Sequence, residues 1–273
     1  MTTVGMLYRR TRTMVATPLK RWKANRAFKR GYTSEFTWPS TAADAISQGH
    51  PNPLQKFIEE RRQGAGIWKW NHYSDIYDRH FRHFRGKETH VLEIGVYSGG
   101  SLEMWREYFG PLATIYGVDI QPDCRVYETD RTKIFIGDQA DRSFWREFRQ
   151  KVPVLDIVID DGGHAPEQQI VTLEELLPFL RPGGVYLCED VHWAYNQFAS
   201  YVNGLSHRLN DFSQIKWSPD DDERRGVCTS TPFQSAVGSI HLYPFVTVIE
   251  RNTGPVTEFR APKRGTQWQP FLK

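Results

Sequence analysis

Short apolar runs alternate with helical patterns through the middle of the chain. Each run has the length of a buried strand and ends at or beside a glycine or a carboxylate. The predicted strands are Thr89–Val96, Thr114–Asp119, Lys133–Ile136, Val154–Ile159 and Val185–Cys188. The segments between them space their apolar residues as helices do, in Leu102–Phe109, Arg142–Val152, Glu167–Leu180 and Tyr195–Leu209. This alternation predicts an α/β fold with a Rossmann-like, doubly wound, mostly parallel sheet.

Two further patterns complete the predicted sheet. Arg181-Pro182-Gly183-Gly184 is expected to close the helix that begins at Glu167. Val237–Leu242 and Phe245–Glu250 flank Tyr243-Pro244 and predict a terminal hairpin, which adds an antiparallel strand at the edge of the sheet.

The N-terminal region has a different pattern and is basic. Nine Lys or Arg residues and no acidic residue lie between Met1 and Ser34, interleaved with apolar positions, and Pro18 is expected to interrupt a single helix there. Such a segment suits contact with an anionic membrane surface or an acidic partner, or it is a solvated arm or a subunit contact. Thr33–Pro53 has the composition of a linker. We therefore predict a basic arm and linker over residues 1–53 and one domain over 54–273.

The composition narrows the class of protein. The 273 residues are 39% hydrophobic and 25% charged, which is typical of a globular domain, and a net charge of +3 does not indicate nucleic-acid binding. No stretch has the length of a membrane span or of a signal peptide's apolar region. Three scattered cysteines predict reduced thiols and a cytoplasmic location, with membrane association through the basic arm as a further hypothesis.

The residues at three predicted strand ends suit an adenosyl ligand. Glu93 and Gly95 open a glycine turn that lacks the G-x-G-x-x-G spacing, so a dinucleotide site is poorly supported. Asp119 ends the next strand, where a carboxylate accepts both ribose hydroxyls. Asp138-Gln139 follows the third strand and would face an adenine edge. Together these features favour S-adenosylmethionine, although a glycine turn alone is often a plain strand-to-helix connection.

A second group of side chains predicts a metal site. Asp161, Glu189 and Asp190 follow neighbouring strands, and three carboxylate groups suit Mg²⁺. A single carboxylate there would more often be a hydrogen-bonding cap. His164 lies three residues beyond Asp161 and is either a base in the same pocket or a histidine that orients the loop. His72, His192 and His241 have weaker claims, and His241 is assigned a structural role in the hairpin.

Six segments together resemble one enzyme family. They include LEIGVYSGGSLEMW at Leu92–Trp105, IDDGGH at Ile159–His164 and PGGVYLCED at Pro182–Asp190, and they extend from about Trp70 to Tyr195. The others are the segment from His72 to Phe81, YGVDI at Tyr116–Ile120 and GDQAD at Gly137–Asp141. The chain resembles the class I, metal-dependent sugar O-methyltransferases of antibiotic biosynthesis, which include macrolide deoxysugar and rhamnosyl O-methyltransferases and the cephalosporin-hydroxylase-like group.

The resemblance implies a role for each candidate residue. Asp161, Glu189 and Asp190 would bind magnesium, and His164 would be the general base. S-adenosylmethionine would be held by the remaining residues, of which Tyr73 and Ser101 would contact its methionine end: Tyr73, Glu93, Gly95, Ser101, Asp119, Asp138, Gln139 and Asp160. The family implies a cytoplasmic transferase, expected to be a homo-oligomer, with a small-molecule or glycan acceptor in carbohydrate or natural-product biosynthesis.

The predicted function is Mg²⁺-dependent methyl transfer from S-adenosylmethionine to a sugar hydroxyl. A vicinal diol would chelate the metal best. The alternatives are a catechol-type O-methyltransferase, for which Trp193 and Tyr195 would stack on an arene, and a non-catalytic scaffold that binds S-adenosylmethionine. A hydroxylase is less favoured because the spacing of an iron-binding triad is absent from the sequence. The acidic stretch Asp220–Glu223 is interpreted as an exposed insertion or as a lid.

Overall fold

The computed structural model describes residues 3–35, 52–211, 215–217, 226–262 and 264–265. The chain divides into two compact units, Met1–Gly49 and His50–Lys273. The predicted linker from Thr33 lies largely outside the described residues, and the stretch Asp220–Glu223 lies wholly outside them.

The first unit contains one helix, α1 (Thr3–Tyr32), and Pro18 lies inside it. The expected interruption at Pro18 is therefore wrong. Proline removes one backbone donor, but the hydrogen bonds on either side of it remain available to continue the helix. From residue 18 to residue 35 every side chain is exposed. None of the described helices is long and apolar enough to cross a bilayer.

The second unit contains the predicted alternation of strands and helices. Its first part comprises α2 (Pro53–Glu60), α3 (Tyr73–Phe81), β1 (Thr89–Ile94), α4 (Gly100–Phe109), β2 (Ala113–Asp119), β3 (Thr132–Ile136), α5 (Arg142–Lys151), β4 (Leu155–Asp160), α6 (Pro166–Leu176), β5 (Leu180–Cys188) and α7 (Gln197–Leu209). Its second part comprises β6 (Ile215–Trp217), β7 (Gly226–Thr229), α8 (Pro232–Ala236), β8 (Val237–Tyr243), β9 (Val246–Arg251) and β10 (Glu258–Ala261).

Seven strands form the main sheet in the order β3-β2-β1-β4-β5-β9-β8. The first five strands are parallel, and β9 is antiparallel to both β5 and β8. The predicted mostly parallel sheet with an antiparallel hairpin strand is confirmed, and the antiparallel strand is β9, one position in from the edge. A separate small sheet has the order β10-β7-β6.

Each face of the main sheet is covered by helices. Val91 of β1 packs in one apolar cluster with residues of α3 and α4, such as Tyr77 and Trp105. Its neighbour Leu92 points to the other face and packs with residues of α5, α6 and α7, including Trp145. Because side chains alternate along a strand, the continuous apolar runs of the sequence supply both faces.

The end of α6 differs from the prediction. The helix ends at Leu176, and Leu180 through Gly184 form the start of β5, where Leu180 pairs with Leu155. Leu180 is 1% exposed. A buried leucine continues a helical pattern as well as it begins a strand, so the periodicity alone does not separate the two.

Candidate active site

A cavity of about 780 Å³ lies at the carboxyl ends of the parallel strands. Its walls come from the loops that follow β1 through β5 and from the segment Gly66–Asn71, which precedes α3. Ten of the twelve predicted site residues line it, which are Tyr73, Gly95, Ser101, Asp119, Asp138, Gln139, Asp161, His164, Glu189 and Asp190. Glu93 and Asp160 do not line it and are buried, with exposures of 0% and 1%.

Ten of the twelve predicted residues therefore share one cavity, and the parallel register explains why. β1 pairs with β2 on one side and with β4 on the other, and β4 pairs with β5. The residues that follow these strands in sequence therefore meet at one edge of the sheet.

The turn after β1 requires glycine because another loop passes directly over it. Gly95 has φ +91°, and a Cβ atom at this position would lie 2.0 Å from the carbonyl oxygen of Asp161. The amide of Asp161 also donates a hydrogen bond to the carbonyl oxygen of Ile94 (3.0 Å). The loops after β1 and β4 therefore touch through their backbones, and this contact places the Asp161 carboxylate beside the glycine turn.

Asp119 holds the same turn from the other side. One of its carboxylate oxygens accepts hydrogen bonds from the amides of Val96 (2.9 Å) and Tyr97 (3.0 Å), and the other accepts one from the amide of Gln121 (2.9 Å). Asp119, which was predicted to bind the ribose, therefore faces the cavity. It also fixes the loop against which a cofactor would lie.

Gln139 and Asp160 form a buried support beneath the cavity. The side-chain amide nitrogen of Gln139 donates to Asp160 (3.1 Å), and its carbonyl oxygen accepts the amide of Gly163 (2.6 Å). Asp160 also accepts the Tyr186 hydroxyl (3.0 Å), and burial raises the pKa of Asp160 to about 6. These bonds connect the loop after β3 to the loop after β4. The neighbouring Asp138 accepts the amide of Ala140 (2.8 Å).

Lys69 lies at the centre of the acidic side chains and was not predicted from the sequence. Its ammonium nitrogen lies 2.6 Å from Asp161, 3.0 Å from Glu189 and 3.3 Å from Glu93, and the side chain is 2% exposed. Burial acts to lower the pKa of Lys69, but the three carboxylates raise it well above its usual value, so the ammonium is retained.

Two carboxylates in this group have additional hydroxyl donors. Tyr77 donates to Glu189 (2.7 Å), and Ser101 donates to Glu93 (2.6 Å). Ser101 lines the cavity as predicted, but its hydroxyl is directed to Glu93. Glu93 and Glu189 are therefore charge-paired and hydrogen-bonded inside the protein.

Asp190 belongs to a second group that faces the cavity more openly. Its carboxylate accepts the Tyr73 hydroxyl (2.8 Å) and the Trp70 indole N–H (3.1 Å). Tyr73 was predicted to contact the cofactor, and the structure places its hydroxyl on this carboxylate. His164 Nε2 lies 3.5 Å from one oxygen of Asp190, and His192 Nε2 lies 3.2 Å from the other.

Asp161, His164 and Asp190 form a set that is able to hold a metal ion. One ligand atom from each lies within 4.8 Å of the others. His164 and Asp190 both have positive φ, +56° and +54°, so the backbone is strained where these side chains are presented. Two carboxylates with room for further oxygen ligands suit Mg²⁺. Glu189, the third predicted ligand, borders the same cavity, but its oxygens accept hydrogen bonds from Lys69 and Tyr77.

One polar atom of this group lacks a partner. His164 Nδ1 is buried and makes no hydrogen bond to the part of the chain that the structure describes. Buried polar atoms are normally hydrogen-bonded, so an unpaired one needs an explanation, such as a catalytic role or an ion that binds there. The donor set and this atom fit a site that receives a cation and a polar acceptor.

Aromatic side chains stand near the mouth of the cavity. Trp68 lines it and is 87% exposed. Trp193 and Tyr195, which were expected to stack on an acceptor ring, are 88% and 76% exposed and do not line the cavity.

Comparisons with known proteins identify the family of this chain. Residues 92–191 match the family model described as a methyltransferase domain. The chain is 32% identical over 205 residues to 8-demethyl-8-alpha-L-rhamnosyl tetracenomycin-C 2'-O-methyltransferase of Streptomyces olivaceus, covering 70% of this chain and 53% of that protein. It is 40% identical over 203 residues to mycinamicin VI 2''-O-methyltransferase of Micromonospora griseorubida, covering 68% and 49%.

The fold is also similar to a solved methyltransferase structure. MycE methyltransferase from the mycinamycin biosynthetic pathway, in complex with Mg, SAH and mycinamycin VI, superimposes with a TM-score of 0.56 and 27% identity. The alignment covers 74% of this chain and 53% of that one. The chain spans about half the length of the curated relatives it matches. The resemblance to this group of methyltransferases, predicted from the motifs, is confirmed.

Proposed function

We propose that this chain, in which residues 92–191 form a methyltransferase domain, transfers a methyl group from S-adenosylmethionine to a hydroxyl of a sugar. The acceptor class is a glycosylated small molecule, as the names of the relatives suggest. The reaction would depend on a divalent cation, for which Mg²⁺ is the best match to the oxygen-rich donors.

One observation carries the proposal. The carboxylates of Asp161 and Asp190 and the imidazole of His164 meet in the same cavity as the glycine turn at Gly95 and the carboxylate of Asp119. Cation ligands, a proton acceptor and a nucleoside-binding edge are therefore combined in one volume. This combination suits methyl transfer to a hydroxyl and has no use in a protein that only binds a nucleoside.

Residues in different parts of the cavity would bind the cofactor and the magnesium ion. Asp119 and the loop after β3 would bind the adenosyl part, and the Gly95 turn would let the sulfonium approach the floor of the cavity closely. Asp161 and Asp190 would hold the magnesium ion, with Glu189 beside them. When bound, the ion supplies positive charge that stabilises a developing alkoxide. Holding the acceptor hydroxyl and the methyl group in line accounts for a large part of the expected rate enhancement.

His164 would take the proton of the acceptor hydroxyl. Nε2 is the atom proposed to accept it, because this nitrogen faces Asp190 and the cavity. An imidazole is suited to this step near neutral pH. A nearby carboxylate then stabilises the imidazolium that forms.

The proposal is tested with a labelled methyl donor and a panel of glycosides. We expect label to be transferred to a glycoside with neighbouring hydroxyls in the presence of Mg²⁺ and not in excess EDTA. Transfer that is unchanged by EDTA would remove the cation from the proposal. Binding of S-adenosylmethionine without transfer to any acceptor, measured by calorimetry, would instead favour a non-catalytic scaffold.

A catechol-type acceptor is the second candidate, and Trp68 is compatible with it as well as with a sugar. Its indole is 87% exposed at the rim of the cavity and presents a flat face on which an arene or a sugar ring can stack. A phenolic diol would use the same carboxylates and the same base. Including catechols in the acceptor panel, at equal concentration, distinguishes the two classes by their kcat/KM.

We also propose that α1 contacts an anionic membrane surface. Six of its described, exposed residues are basic, Lys20, Arg21, Lys23, Arg26, Lys29 and Arg30, and Trp22 and Phe28 are 56% and 57% exposed beside them. Sedimentation with vesicles that contain an anionic phospholipid should pellet the full chain, and high salt or the triple variant K23E/R26E/R30E should release it. Equal pelleting with neutral vesicles would contradict the proposal. The predicted homo-oligomer is tested separately by light scattering.

A further inference from the structure

A second cluster of metal-ligating side chains lies at the edge of the main sheet. His80 comes from α3, His241 from the edge strand β8, and Glu250 from the neighbouring strand β9. None of the three lines the cavity described above. His80 is 3% exposed, whereas the side chains of His241 and Glu250 are 37% and 35% exposed.

The Glu250 carboxylate lies between the two imidazoles. Its Oε1 is 2.7 Å from His80 Nδ1, and its Oε2 is 3.4 Å from His241 Nε2. One ligand atom from each of the three residues lies within 4.8 Å of the others. The two imidazole rings are 4.8 Å apart between centroids and are tilted by 62°. Two nitrogens and a carboxylate oxygen therefore converge on one point from three elements.

Hydroxyl groups contact all three side chains, and the hydroxyl of Tyr243 supports His80 from the side away from Glu250. Tyr243 Oη lies 2.9 Å from His80 Nε2, and Ser239 Oγ lies 2.9 Å from both His241 Nε2 and Glu250 Oε2. When the proton of the His80 imidazole is on Nε2 and is donated to Tyr243, the Nδ1 lone pair faces Glu250. A hydrogen bond of this kind to the second ring nitrogen is the usual companion of a metal-ligating histidine.

We propose that His80, His241 and Glu250 form a binding site for Zn²⁺ or a similar divalent transition-metal ion. Two imidazoles and one carboxylate are a common zinc donor set, and a water molecule reaching the exposed side would complete four ligands. Nitrogen donors disfavour Mg²⁺ and Ca²⁺, which take oxygen ligands. The ion takes the place of the proton shared by His80 and Glu250 and displaces the Ser239 hydroxyl from His241.

The site connects the edge hairpin to the helix that supports the active site. α3 carries His80 near its end, and Tyr73 and Tyr77 in its first turns donate hydroxyl hydrogen bonds to Asp190 and Glu189. An ion at His80 fixes the far end of this helix to β8 and β9. No residue of the cluster reaches the cavity, so the proposed ion would act on the active site only through the position of α3.

The test is a zinc titration of the full chain by competition with a chromogenic chelator, in millimolar Mg²⁺. The variant His164→Gln serves as the background, so that the active-site imidazole does not contribute a second zinc ligand set. We expect one equivalent of Zn²⁺ to bind. Adding His241→Gln should weaken this binding by at least about 10–100-fold, the loss expected when a supporting group of a metal site is removed. Adding His207→Gln, an exposed histidine of α7, should leave it unchanged.

The absorption spectrum of bound Co²⁺ is a second test of the proposed metal site, and it applies even if one variant is unstable. Co²⁺ bound to the full chain should give the intense visible absorption of a four-coordinate ion, and this absorption should be lost in His241→Gln and in Glu250→Gln. Circular dichroism confirms that these variants are folded, and they avoid the buried His80. Absence of a stoichiometric zinc ion in the background chain, or equal zinc affinity in the His241→Gln and His207→Gln chains, would overturn the proposal.

Discussion

The two histidine–carboxylate clusters of this molecule are built in opposite ways. Asp161, His164 and Asp190 lie on loops, where His164 and Asp190 have positive φ and His164 Nδ1 has no partner within the described chain. His80 and Glu250 lie on a helix and a strand, and both nitrogens of His80 have partners at 2.7 and 2.9 Å. The first cluster faces a cavity and is called the open cluster. The second is called the closed cluster because its polar atoms contact one another and neighbouring hydroxyls, although His241 and Glu250 are 37% and 35% exposed.

The difference agrees with the roles proposed for the two clusters. A catalytic centre keeps coordination positions and polar atoms available for its substrates, and the open cluster has both. The donors differ in the same direction, because the open cluster is richer in oxygen and the closed one in nitrogen. Regular elements are suited to the closed cluster since their backbones move little.

The largest expected effect is on turnover, and it tests whether the open cluster is the reactive one. His164→Gln should lower kcat by about 10²–10⁴-fold, because the proton acceptor is lost. S-Adenosylmethionine binding, measured by calorimetry, should stay within a few-fold of the parent. Near-parental turnover would show that His164 is not the proton acceptor. The proposed difference in function between the two clusters would then lack support.

Replacing Lys69 tests whether the stability of the folded chain depends on the ammonium group that pairs with the buried carboxylates. Lys69→Met leaves Glu93, Asp161 and Glu189 without their ammonium partner, and breaking a buried ion pair in this way costs about 3–5 kcal/mol. Urea unfolding in EDTA should show this loss. Added Mg²⁺ should recover part of it in the variant, because a divalent ion offsets the same charges.

A matched lysine provides the control for Lys69. Lys56 contacts Glu60 at 3.9 Å, and both side chains are 68% exposed. Lys56→Met should therefore change the free energy of unfolding by less than about 1 kcal/mol, as is typical of surface pairs. Equal effects of the two substitutions would show that the Lys69 contacts do not stabilise the folded state.

A pair of glycine substitutions tests how far the loops differ from the regular elements. Gly95→Ala places a Cβ 2.0 Å from the Asp161 carbonyl oxygen at φ +91°, which should cost about 1–3 kcal/mol from the backbone conformation alone and lower activity further. Gly204 lies inside α7 with open space around it, so Gly204→Ala should stabilise the protein by about 0.5–1 kcal/mol. Thermal unfolding of the two variants measures the contrast, and destabilisation by both would contradict it.

The smallest expected effect is a pH dependence in the closed cluster. The hydrogen bond from His80 lowers the pKa of Glu250 from 4.5 to about 2. Because the folded state favours the ionised carboxylate, this stabilisation is complete above about pH 4.5 and is lost as the pH falls towards 2. The difference in unfolding free energy between the parent and Glu250→Gln should shrink over this range. A difference that stays constant would exclude an ionised Glu250 as its source.

The strand-end residues were predictable because the periodic pattern alone positions them. Asp161, Glu189 and Asp190 directly follow apolar strands, and parallel neighbours bring such residues to one edge whatever the details of packing. The same reasoning located Asp119 and the glycine turn. The resemblance to the enzyme family then implied a role for each of these residues. The hydrophobic periodicity predicts only their positions.

Lys69 and the closed cluster depend on packing that the local pattern does not encode. Lys69 lies in a short segment without helical or strand periodicity and reaches Glu189, 120 residues later. His80 and Glu250 are 170 residues apart and meet only because α3 docks beside the hairpin. Lys69 lies between Trp68 and Trp70, which are 87% and 52% exposed, so its flanking residues give no signal that it is buried.

Lys69 has a consequence for the stability of the site when no metal ion is bound. Since a covalently attached ammonium already pairs with three of the acidic groups, the proposed function does not require magnesium for these carboxylates to stay together in the folded chain. Under that proposal, removal of magnesium would lower activity and leave the chain folded.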